Sequence, residues 1–144
     1  MIVLVHRESV DEEGNPPARA VLVPDGATLL DLLHIVRRLD YLPSVDGGRA
    51  TWLCEGEAPL AIVTQEYREP WTLVRGERRL EGLAGKLPQP HFLFRYLGKE
   101  SPEEAFRRYG GDPVRLPKEA WDPSAEITWP DALRRLLSPK SRGR

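Results

Sequence analysis

Apolar and polar residues change places in short blocks along most of the chain, and one block keeps a helical period instead. Residues 28–40 set Leu29, Leu32, Leu33, Val36 and Leu39 at i, i+3, i+4 spacing, which is one apolar stripe of an amphipathic helix. Leu30 and Ile35 widen that stripe, while Asp31, His34 and Arg38 lie on the opposite face. Thr28, with Asp31 three residues on, resembles a capping box with a shortened acid. Pro43 and Gly47-Gly48 stop the helix.

The other blocks read as strands. Residues 1–7 (MIVLVHR) and 18–23 (ARAVLV) are short β-branched runs separated by an acidic, Gly/Pro-bearing loop, and predict a first hairpin. Residues 49–54 and 60–65 flank the turn Glu55-Gly56-Glu57-Ala58-Pro59 and predict a second. Residues 71–74 extend that sheet after Pro70, residues 76–90 read as an extended loop, and residues 91–97 are the last strand, with Trp52 and Phe94 in the core. Ser101-Pro102-Glu103-Glu104 then opens a helix: serine at the cap, proline at the first position, acids in the first turn. Residues 112–125 carry three prolines and read as irregular, and Thr128-Trp129-Pro130-Asp131 opens a last short helix to Leu137.

The expected fold is α+β: about five or six strands on one central helix, with a short C-terminal helical extension. Residues 1–98 form the core, 99–137 the extension on the same domain, and 138–144 a flexible basic tail. Hairpin, helix, hairpin around one sheet resembles the element order of the β-grasp architecture. That resemblance covers residues 1–97 in element order only, and a helix on a plain antiparallel meander fits the same order.

Charge changes the picture more than its total suggests. The 144 residues sum to −1. Residues 1–72 hold 6 basic and 12 acidic residues, a net of −6, and residues 73–144 hold 15 basic and 10 acidic, a net of +5. Arginine outnumbers lysine 17 to 4, and there is one Asn, one Met and one Cys. This composition suits either a GC-rich bacterial genome or selection at high temperature. A single cysteine excludes an internal disulfide. No apolar run reaches the roughly 20 residues of a membrane span, and no leader is recognisable, so a cytoplasmic protein is expected.

The chemistry-bearing residues are sparse. Cys54 sits in an apolar strand on the same face as Trp52 and Ala50, where a thiol is usually a small buried hydrophobe. His6, His34 and His91 lack metal-ligand spacing, although His6 and His91 face each other if the first and last strands pair. No phosphate-binding glycine turn, nucleophile elbow or S-x-x-K occurs. No catalytic residue, metal site or cofactor is therefore assigned.

What remains is a surface rich in arginine and aromatics. The candidate interface is Tyr67, Arg68, Trp71, Arg78, Arg79, Arg107, Arg108 and Trp121, residue types that dominate interface hot spots. The expectation is a non-catalytic binding protein of the adaptor, inhibitor or immunity type, with a protein partner or self-association. RNA or DNA binding through the basic C-terminal half is the alternative. A small enzyme using His6, His91 or Cys54 is the third reading.

Overall fold

A computed structural model describes residues 1–10, 14–43, 45, 48–65, 67–84 and 89–111. Trp121, the short helix expected at 128–137 and the basic tail lie outside these residues. The elements in chain order are β1 (Ile2–Arg7), β2 (Arg19–Leu22), α1 (Leu29–Arg38), β3 (Thr51–Glu55), β4 (Pro59–Thr64), β5 (Trp71–Thr72), β6 (His91–Tyr96) and α2 (Pro102–Arg108). The fold is mixed α+β, with one six-stranded sheet in the order β2-β1-β6-β3-β4-β5. β1 and β6, its second and third strands, run parallel, and every other neighbouring pair is antiparallel.

α1 forms where its sequence says it should. Thr28 N–H donates to Asp31 Oδ2 at 2.9 Å, and Asp31 N–H donates to Thr28 Oγ1 at 3.3 Å. The capping box is complete, because the shorter carboxylate still reaches back. Leu29, Leu32, Leu33, Ile35 and Val36 are buried. They meet Val3, Val5, Val21, Trp52, Cys54, Phe92 and Phe94 in the main core. Each fully buried leucine or phenylalanine contributes roughly 1.5–3 kcal/mol, so this layer is the main source of stability. His34 departs from the expected wet face. Its side chain is only 14% exposed, with Nε2 3.7 Å from Glu69 Oε2.

The sheet face away from α1, called the outer face below, divides in two. Over β3, β4 and β5 it holds Leu53, Ile62 and Trp71, which form a second cluster with Ala105 and Phe106 of α2. Over β2, β1 and β6 it holds Ile2, Leu4, His6, Leu22, His91 and Leu93, every one at least partly exposed. α2 is seven residues long and roofs only the first half. Ser101 caps it by accepting from Glu104 N–H at 3.3 Å. At its far end Gly111 N–H donates to Phe106 O at 2.8 Å.

The segment expected to be one extended loop, residues 76–90, carries a 3₁₀ turn at Leu80–Gly82. It is tied across the start of α1: Leu29 N–H donates to Arg78 O and Leu30 N–H to Gly76 O, at 2.9 and 3.0 Å. These bonds satisfy helix donors that have no partner inside the helix.

Candidate interface at the α2–β5 corner

Cys54 is fully buried on the α1 side, opposite Ala61 and Phe94 in the sheet. Burial, and then the neighbouring Glu55 carboxylate, push its thiol well above the ordinary range. A thiol held in that form is a poor nucleophile. His6 and His91 do meet, on the outer face, with ring centroids 5.6 Å apart and planes at 68°. The sheet thus stands between Cys54 and the histidine pair, and the three cannot share a site.

Two clefts bear on the question of a site. One, of about 60 Å3, lies at the end of α1 between Arg37, Asp40, Trp52 and Gln65. Arg37 donates to Thr64 O at 2.6 Å there, and burial lowers its pKa to about 10 against the raising effect of Glu69. It stays charged at neutral pH and fixes the end of β4. The other cleft, about 400 Å3 and open, lies between Arg7, Ser9, Asn15 and Pro43. Arg7 spreads over the Tyr41 ring, 5.6 Å from its centroid. Neither cleft is lined by His6, His91 or Cys54. Among the described residues no group of three or more His, Cys, Asp and Glu is placed to hold a metal ion, and no helix is long and apolar enough to cross a membrane.

The arginine and aromatic candidates fall into two places. Tyr67, Trp71 and Phe106 form one aromatic row, with centroids 5.2 Å apart (Tyr67–Trp71) and 5.8 Å apart (Trp71–Phe106), both edge to face. Trp71 is 2% exposed. It is a pin that holds β5 to α2, not an exposed anchor, because β5 is only two residues long and needs side-chain packing to stay on the sheet. Its indole N–H is buried without a hydrogen-bond partner among the described residues. Tyr67 is half-buried at the rim of the row, and Tyr67 N–H donates to Thr64 Oγ1 at 2.9 Å.

Arg107 and Arg108 are exposed on α2 above this row. Arg108 is held in place by Glu100 Oε1 at 3.0 Å and lies over the Tyr109 ring at 4.8 Å from its centroid. Arg68, at the turn beside Tyr67, is half-buried. Arg78 and Arg79 belong elsewhere. They are exposed on the turn that crosses the start of α1, on the opposite side of the sheet. One flat partner cannot touch both groups, so the described residues of the expected surface are split by the sheet itself.

Sequence reading did not single out Phe106 or Glu100. The signal available was the cap at Ser101, which fixes where α2 starts; packing on the sheet then buries Ala105 and Phe106 and leaves Arg107 and Arg108 exposed. Comparison with known proteins adds nothing to this picture: no family model, no curated protein and no solved structure matches the chain.

Proposed function

We propose that the chain is a non-catalytic binding protein and that its partner, another protein, docks on the α2–β5 corner. One observation carries the reading. The exposed Arg107–Arg108 pair, rimmed by half-buried Tyr67 and Tyr109, stands on a fixed aromatic row. Arginine and tyrosine on rigid support lose little freedom on binding, which is where interface affinity comes from. Arg108 is already oriented by Glu100 and Tyr109. The burial of Cys54 supports the non-catalytic half of the reading, since it withdraws the single thiol of the chain from chemistry.

The framework is read as β-grasp-like. The parallel pair β1–β6, flanked by β2 on one side and β3 and β4 on the other, with α1 across one face, supports this. β5 and α2 are then additions, and the proposed interface is built on the additions.

The test compares the full chain with an Arg107→Glu/Arg108→Glu variant as bait in a native lysate. A partner held by the wild type and lost with the variant, at unchanged thermal stability, supports the reading. Equal capture by both overturns the placement. The same pair of proteins titrated with labelled single-stranded RNA at low salt separates the nucleic-acid alternative, whose binding must fall steeply with log salt.

A further inference from the structure

The sheet has two edges, and they are finished differently. β5 is pinned under α2 by Trp71. β2 is bare. Val23 N–H donates to Met1 O at 2.9 Å, and the Met1 amino group donates to Val23 O at 2.8 Å. Alternation along an antiparallel ladder then turns the N–H and C=O of Val21 and Arg19 towards β1, and those of Leu22 and Ala20 off the edge. Leu4 N–H donates to Pro90 O at 2.9 Å, away from β2, as this phase requires.

The side chains of the same two residues are also uncovered. Leu22 lies opposite Ile2 and Ala20 opposite Leu4 on the outer face. Ile2 is 47% and Leu22 58% exposed, the exposed large hydrophobics among the described residues. Proteins that stay monomeric usually blunt such an edge with charge, proline or a bulge. Here Arg19 and Pro24 bracket the edge, and no charged side chain stands between them.

We propose that β2 pairs with β2 of a second copy of this chain, antiparallel about a twofold axis at Val21, to form one sheet continuous through both copies. In this register Ala20 N–H donates to Leu22 O of the second copy, Leu22 N–H donates back to Ala20 O, and symmetry repeats both bonds. The apolar rows join: Ile2 and Leu22 of one copy continue into Ala20 and Leu4 of the other. Sliding by two residues one way sets Ala20 against Pro24, which has no N–H to give. Sliding by two the other way sets Leu22 against Ala18, beyond the end of β2, and Arg19 against Val21. A slide by one residue inverts the faces. The edge is thus complementary to itself in one register, as a closed isologous dimer needs, and this is why the occupant is a second copy and not an unrelated strand. The edge lies at the far end of the sheet from the α2–β5 corner, so this inference stands or falls separately from the proposed function.

The experiment is sedimentation velocity of the full chain from about 1 to 500 µM, a range that brackets ordinary homodimer affinities. A concentration-dependent monomer–dimer equilibrium is expected. Leu22→Lys and Ala20→Pro should each weaken it by at least about tenfold with circular dichroism unchanged, since Leu22 is exposed and an edge strand tolerates proline where its N–H points outward. Oxidised Val21→Cys should give a disulfide-linked dimer, because a non-hydrogen-bonded pair brings the two residues close enough to bridge. Arg19→Cys should not, its copies being roughly 13 Å apart along the strands. A monomer across the whole range, a dimer indifferent to both Leu22→Lys and Ala20→Pro, or a cross-link at 19 and not at 21 would overturn the proposal.

Discussion

The two halves of the outer sheet face both carry large aliphatic side chains, and these end differently. Leu53 and Ile62 on β3 and β4 are as apolar as Ile2 and Leu22 on β1 and β2. The first pair is 1% and 0% exposed, the second 47% and 58%. The difference is α2, a seven-residue helix whose one large apolar side chain at the sheet is Phe106. A short helix cannot roof six strands, so it closes the half nearest to it. It also turns Arg107 and Arg108 outward and converts a hydrophobic patch into a charged one. On the proposed reading, the closed half offers its arginines to a partner, and the open half offers outward backbone groups and exposed apolar side chains to another strand.

This comparison can be broken by stability measurements, and the largest expected effect is at Phe106. Phe106→Ala should cost about 3–5 kcal/mol in urea unfolding, the range for emptying a buried aromatic site. Leu22→Ala, on the open half, should stay within about 0.5 kcal/mol. Similar costs for the two would mean that the halves are not distinct. Gly111→Ala comes next. A Cβ there would lie 2.4 Å from the Phe106 ring, so Phe106 must give way, at about 1–3 kcal/mol. A neutral result would show that α2 is held by something other than Phe106.

A smaller effect is expected with pH. Glu69 is kept below the ordinary 4.5 by its hydrogen bond to His34, against the opposing effect of burial, with further help from the charges of His34, Arg68 and Arg37. A carboxyl whose folded value is depressed stabilises the fold above its unfolded value, and that contribution is lost as pH falls through the folded value. Wild type should therefore lose stability below 4.5 more steeply than Glu69→Gln, in urea midpoints compared between about pH 6 and pH 3. Identical acid limbs would show that Glu69 does not hold the β4–β5 turn to α1. The smallest effect is at Trp71→Phe. The lost contact area and the removed unpartnered N–H act in opposite directions, and the net change should fall within about 1 kcal/mol. A loss as large as that of Phe106→Ala would mean that the indole N–H has a partner.

Much of this arrangement is legible in the sequence. The stripe from Leu29 to Val36 and the Thr28–Asp31 pair give α1 its place and its start. Whether the first and last strands pair is left open by the sequence; β1 and β6 do pair, and they bring His6 and His91 together. The division of the outer face was not read, although a signal for it exists. β3 and β4 read as nearly unbroken apolar runs, TWLC and LAIV, and such strands are covered on both faces. β2 reads RAVL, where Val21 alone points to the core. What covers the second face could not be read, because Ala105 and Phe106 are adjacent and a seven-residue helix shows no period. The split of the arginines was equally hidden. Arg78 and Arg107 are alike in composition, and only the path of the chain across the sheet puts them on opposite sides.

The division of the outer face into a closed half and an open, self-pairing half is tested most directly by amide hydrogen exchange of the full chain, followed residue by residue at low and high protein concentration. Val21 and Val23 donate within the sheet and should be protected at both. Ala20 and Leu22 should exchange freely when dilute and become protected when concentrated, while the amides of Leu53 and Ile62 under α2 do not change. Rates at Ala20 and Leu22 that are the same at both concentrations would contradict the account.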